Sequence, residues 1–177
     1  MSATNNRKTI PDILAALKTA IEGVQYQDAP AFERVELFDN NSITDAISRL
    51  LGYDKTLCFI IPLDEQFTKI TSGRKLLFGR SLPIALLISD RAIDSRQKAL
   101  FGSEDTPGAH RLMEAVLPAI IGQLIENPNG VVCKPTNCGV VDVINTDKNL
   151  PGRAVIELDV ECTGGTIETT LSLSPTV

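Results

Sequence analysis

Apolar residues first recur at helical spacing in residues 10–24, where Ile10, Ile13, Leu14, Leu17, Ile21 and Val24 share one face. Thr9, Pro11 and Asp12 supply the cap, early proline and first-turn acid of a helix start. A second helix is predicted after Ser42, its cap, with Asp45 in a capping-box-like position and Gly52 as its stop. Its apolar face is Ile43, Ala46, Ile47, Leu50 and Leu51. The longest helix is predicted to open at Thr106 and Pro107 and to run to the turn at 127–130. It carries a wide stripe of Leu112, Met113, Val116, Leu117, Ile120, Ile121, Leu124 and Ile125, with a kink expected at Pro118. Residues 91–102 are polar and read as an ordered loop or a short helix.

Strand signals fill the rest. Residues 34–38 form a short strand with Val35 and Leu37 on one face. Residues 56–61 are nearly all apolar, which predicts a central strand covered on both faces and ended by Pro62. Residues 66–71 give a weaker strand, and 82–89 the strongest. Between those two, residues 72–80 carry Gly73 and Gly79 and read as a projecting connection or hairpin arm. Two strands, 131–134 and 140–145, follow the long helix. Residues 154–162 alternate: Ile156, Leu158, Val160 and Cys162 point one way, Glu157, Asp159 and Glu161 the other. Gly164 and Gly165 are then predicted to turn the chain into a last strand, 166–174. With no repeat or long linker, residues 1–8 read as a loose tail and 9–177 as a single α+β domain: a mostly antiparallel sheet with helices packed on one face.

Composition narrows the chemistry. With 177 residues, 43% of them hydrophobic, the chain can bury a real core. A net charge of -5 disfavours a protein built to coat nucleic acid. The one histidine, His110, has no second histidine for a metal pair and no local group to orient it beside a nucleophile. No Walker A, G-x-G-x-x-G or G-x-S-x-G run occurs. Cys58, Cys133, Cys138 and Cys162 are expected as reduced, mostly buried thiols; the C-x4-C spacing of Cys133 and Cys138 leaves a hairpin disulfide or a zinc site as lesser alternatives. The polar N-terminus and the lack of a run near 18–20 apolar residues predict a soluble chain made in the cytoplasm.

Three surfaces stand out. Arg74, Lys75 and Arg80 surround Leu76, Leu77 and Phe78, which makes either an ordinary surface hairpin or an apolar-tipped arm that docks on a neighbouring subunit. The strand 166–174, with Thr169, Leu171 and Leu173, invites pairing with another chain if it lies at a sheet edge. Glu157, Asp159 and Glu161 form either a solvated sheet face or an acidic wall that, repeated around a ring, lines a channel.

One family has this order of elements. The strand at 82–88, a charged loop with Arg91 and Arg96, the helix opening Pro107-Gly108-Ala109-His110-Arg111-Leu112-Met113-Glu114 and the segment from Gly152 and Arg153 to Val160 resemble the tail-terminator (tail completion) proteins of Mu-like contractile-tailed phages. The leading helix fits too, so the resemblance spans most of residues 10–162. It implies an α+β subunit of a hexameric ring that caps the tail tube and offers a surface to the head-side connector. It implies a virion protein that is not an enzyme and has no catalytic residue, metal or cofactor. The implied partners are further copies of the chain and the tail tube protein, with sheath and connector proteins as further candidates. DNA would pass through without specific binding, and no membrane is involved. On this reading Arg74, Lys75, Leu76, Leu77, Phe78, Thr169, Leu171 and Leu173 are subunit contacts, and Glu157, Asp159 and Glu161 face the channel. Two alternatives stay open: another neck, sheath-initiator or baseplate component, or an α+β enzyme binding a small ligand in a pocket of convergent ionisable groups.

Overall fold

The computed structural model describes residues 9–38, 42–53, 55–72, 75–91, 96–104, 106–125, 130–143 and 153–170. Thr9 and Asp12 close a reciprocal capping box on α1 (Ile10–Glu22), which buries Ile13, Leu14, Leu17 and Ile21. A small hairpin of β1 (Gln25–Tyr26) and β2 (Ala29–Pro30) turns on Gln27 and Asp28, both at positive φ. β3 (Arg34–Leu37), α2 (Ile43–Leu50) and β4 (Leu57–Pro62) follow, and β3 pairs parallel with β4. The remaining elements are β5 (Gln66–Ser72), β6 (Lys75–Ser89), α3 (Arg96–Phe101), α4 (Gly108–Ile120), β7 (Gly122–Ile125), β8 (Val131–Val143) and β9 (Arg153–Thr170). The sheet runs β3-β4-β6-β9-β8-β7, with β5 also pairing β6, and every described pair except β3–β4 is antiparallel.

The α+β class is therefore as expected, with a mixed sheet. The placement of helices differs from the expectation of a single covered face. α1 and α4 cover one face, where Cys58, Ile60, Leu82, Ile84, Leu86, Ile88, Leu158, Val160 and Cys162 are buried. α2 covers part of the other, where Leu50 and Ala46 pack on Leu57, Phe59, Ile61, Ala85, Leu87 and Val155. The reason lies in β4, which is apolar at every position from Leu57 to Ile61 and so needs cover on both sides.

Three other expectations give way to long-range contacts. The long helix stops at Ile120, and Leu124 and Ile125 lie in β7, paired with the start of β8. Pro118 has already removed a helical donor there, and pairing with β8 satisfies the backbone that helix would have used. The strands predicted at 131–134 and 140–145 are one strand, β8, with an irregularity between Pro135 and Asn137 that absorbs the proline. The predicted turn at Gly164 and Gly165 is absent: β9 continues through both. Gly164 serves a close approach instead, since a Cβ there would lie 2.9 Å from the carbonyl oxygen of Gly130.

Continuity of β9 reshapes the end of the sheet. Residues 166–170 pair with 75–79 of β6, whose other side pairs with β5. The segment predicted as a hairpin arm does pair as a hairpin, Ser72 opposite Lys75, and its second strand is also the middle strand of a three-stranded extension.

Candidate functional site

Alternation on β9 buries Ile156, Leu158, Val160 and Cys162, the last three in the core under α1 and α4, and sends Glu157, Asp159 and Glu161 to the opposite face, where all three are half-buried. The three acids have different surroundings. Glu161 faces Lys134 on β8 across the ladder, with the ammonium 2.6 Å from its carboxylate, and Ser81 on β6 donates a hydroxyl hydrogen bond at 2.5 Å. These two partners hold the Glu161 carboxyl below the usual carboxylate range. Asp159 accepts from the Asn137 amide at 3.2 Å. Glu157 sits between Leu87 and Gly139 in the ladders, with no side-chain partner among the described residues. Partial burial, and then the charge of Asp159, push its carboxyl upward. The stripe is therefore graded, from a compensated acid at Glu161 to an uncompensated one at Glu157.

The other sequence-predicted contacts fall as follows. Arg74, Leu171 and Leu173 lie outside the described residues. Lys75, Leu76, Leu77 and Phe78 occupy β6, with Leu76 opposite Thr169, so their backbones are engaged inside the subunit on both sides. They belong to a hairpin with β5 that β9 backs on its other side, so a contact with another copy would come from a sheet face. At the base of the extension Arg80 is buried in an ion pair with Glu65.

Cysteine expectations resolve by register. Cys133 lies directly across from Cys162, both buried, and burial raises the thiol of Cys58 above its ordinary range. Cys138 is exposed on the same strand as Cys133 and all four thiols are free, so the hairpin disulfide does not form. No described group of three or more His, Cys, Asp or Glu could hold a metal. His110 stacks its ring on Phe101, centroids 5.1 Å apart, and so helps fasten α4 to α3.

Sequence reasoning missed Asp90. It sits 1% exposed at the end of β6 and accepts from the amides of Arg91 at 2.7 Å and Gly108 at 2.8 Å. Thr106 and Pro107 do not cap α4 by side chain; this remote carboxylate takes the first helical amide, and Thr106 turns to Ser103 instead. Gly108 has φ +73°, and a Cβ on it would strike the Gly102 amide at 2.2 Å, so the α3–α4 corner admits only glycine there. Arg153 was missed as well. It is buried and donates to the carbonyls of Leu50 (3.1 Å) and Lys55 (2.5 Å), placing its charge at the C-terminal end of α2. Near the α3–α4 corner an open cavity of about 250 Å³ is lined by Tyr26, Glu33, Thr56, Arg91, Glu104 and Thr106, among others. Of its acids, Glu33 is exposed and bridged to Lys55 at 3.6 Å, and Glu104 is exposed.

No helix among the described residues is long and apolar enough to cross a membrane. Compared with models of known protein families and with curated proteins, the chain matches none.

Proposed function

We propose that this chain is a structural, ring-forming component of a phage tail, acting as the terminator that caps the tail tube and meets the head-side connector. The observation that carries the reading is the graded acidic face of β9: carboxylates at Glu157, Asp159 and Glu161 on one sheet face, each partly exposed. A ring built with that face inward presents negative charge to a passing polyanion and keeps it from sticking. The resemblance in element order, carried by β6 (Lys75–Ser89), α4 (Gly108–Ile120) and β9 (Arg153–Thr170), points the same way. The ring acts by geometry, since a closed ring gives one face to the last tube layer and none to the next. A place elsewhere in the neck or baseplate would use the same ring and differ only in its neighbours.

The test is to determine the mass of the purified protein alone and mixed with its tail tube protein, then to image the mixture. Rings seated at tube ends, with tubes shortened or capped, are expected. A protein that stays monomeric and ignores tubes removes the terminator reading and returns attention to the cavity beside Arg91 and a ligand screen.

A further inference from the structure

Two of the open edges among the described strands match. β3 pairs only with β4. The amides of Arg34 and Phe38 bond inward to the carbonyls of Thr56 and Ile60, so the alternate residues Val35 and Leu37 turn their main-chain groups outward. At the far side, β7 covers β8 only over Val131–Cys133. Lys134, Pro135 and the irregularity before Asn137 guard the next stretch of that edge, as charges, prolines and bulges commonly do. Residues 138–141 (Cys-Gly-Val-Val) carry no such guard.

Following the ladders across the sheet puts those two stretches in the same rows. Arg34 aligns through Leu57, Ser89 and Val155 with Val141. Val35 aligns with Val140, Glu36 with Gly139 and Leu37 with Cys138. Strand direction matches too. β3 runs parallel to β4 and β9, while β6 and β8 run the other way, so β3 and β8 are antiparallel. Both edges carry exposed apolar residues: Leu37 is 42% and Val140 is 44% exposed, and Cys138 is exposed, all on the face that α1 and α4 cover further in. A second copy placed in the same orientation would bring β8 against β3 in the favoured antiparallel sense, with Leu37 and Val35 beside Cys138 and Val140.

We propose that copies of this chain join edge to edge, β3 of one pairing with residues 138–141 of the next, so that the sheet runs on from subunit to subunit. The contact is head-to-tail, so repetition gives a closed ring or an open filament rather than a two-fold dimer. The proposal rests on the ring-forming reading above and moves the subunit contact from the extension at 75–78 and 166–170 to the edges of the main sheet.

The native thiol of Cys138 makes the contact testable. Leu37→Cys, at an exposed position, would place a thiol in the same row as Cys138 of the next copy. Mild oxidation of the full chain with copper phenanthroline should give a reducible ladder of dimers and higher species. The double variant Leu37→Cys with Cys138→Ser should give none. In the wild-type protein, amides of 138–141 should gain protection from hydrogen exchange on assembly, alone or on tubes. Rings by native mass spectrometry without a ladder, or a ladder that survives Cys138→Ser, overturn the edge contact and leave the ring reading standing. No assembly of the wild type under either condition overturns both.

Discussion

The two faces of the sheet are built to different rules, and β9 belongs to both. Its inward residues, Ile156, Leu158, Val160 and Cys162, are no more than 2% exposed, and the last three lie in the core under α1 and α4. Its outward residues are acids in partial contact with water: Glu161 has an ion pair and a hydrogen bond, Asp159 a hydrogen bond, and Glu157 neither among the described residues. Burial on the first face supplies the non-directional free energy of folding. The second face has its own apolar core under α2, around Phe59 and Leu87, but its acidic stripe contributes little to stability and is free to carry a field. Identical backbone with opposite side-chain chemistry separates the part that folds the subunit from the part available for its use.

The sharpest test of that contrast is a deletion on the covered face. Leu86→Ala, at a residue with no exposed surface, should cost about 2–5 kcal/mol by urea unfolding, a large share of a domain's stability. A loss under half a kcal/mol would mean the covered face is not the folding core. Next in size is Asp90→Ala, which frees the buried amide of Gly108 and the partly buried amide of Arg91. A cost of about 1–3 kcal/mol is expected, with faster hydrogen exchange in the first turn of α4 and no change on the acidic face. Unchanged exchange there would show that Asp90 does not cap the helix.

Reversing the charge of the open face should barely disturb folding. Glu157, Asp159 and Glu161 changed together to Lys should shift stability by no more than about 1 kcal/mol, mostly because Lys134 then meets a like charge. If the stripe faces a channel, particles carrying the triple variant assemble and fail at DNA passage. Normal infectivity removes the channel from the reading.

What was legible in the sequence follows the range of the interactions involved. α1 and α2 announce themselves because cap and periodicity lie within a few residues of each other: Thr9 with Asp12, Ser42 with Asp45. The double burial of β4 and the two-sidedness of β9 are equally local. The rest is decided across the fold. Leu124 and Ile125 suit a helix stripe or a strand, and only pairing with Val131–Cys133 selects the strand. Gly164 looks like a turn until Gly130 is found against it. The carboxylate that caps α4 comes from Asp90, 18 residues before Gly108, where no capping motif can point to it. At the candidate site the alternation of acids was visible, but Lys134, Ser81 and Asn137, which grade them, arrive from two other strands.

That grading yields the smallest and most discriminating effect. Glu161 has a folded-state affinity for protons below the ordinary value, so its contribution to stability is present above the ordinary carboxylate range and is lost as pH falls through its lowered pKa. Glu157 is raised, so its contribution is present below the ordinary range and is lost as pH rises through its raised pKa. At neutral pH the two neighbours on one strand therefore act in opposite senses. Glu161→Gln should be less stable than the wild type at pH 7, and the gap should close in acid. Glu157→Gln should be more stable at pH 7, and that gap should close as well. Both differences should stay within about 1 kcal/mol, because the groups are partly solvated. Denaturant midpoints at pH 7 and in mild acid measure them. Shifts of the same sign would mean that the open face behaves as a uniform solvated surface, and the contrast would then be between a core and plain solvent exposure, with no graded field to present to a partner.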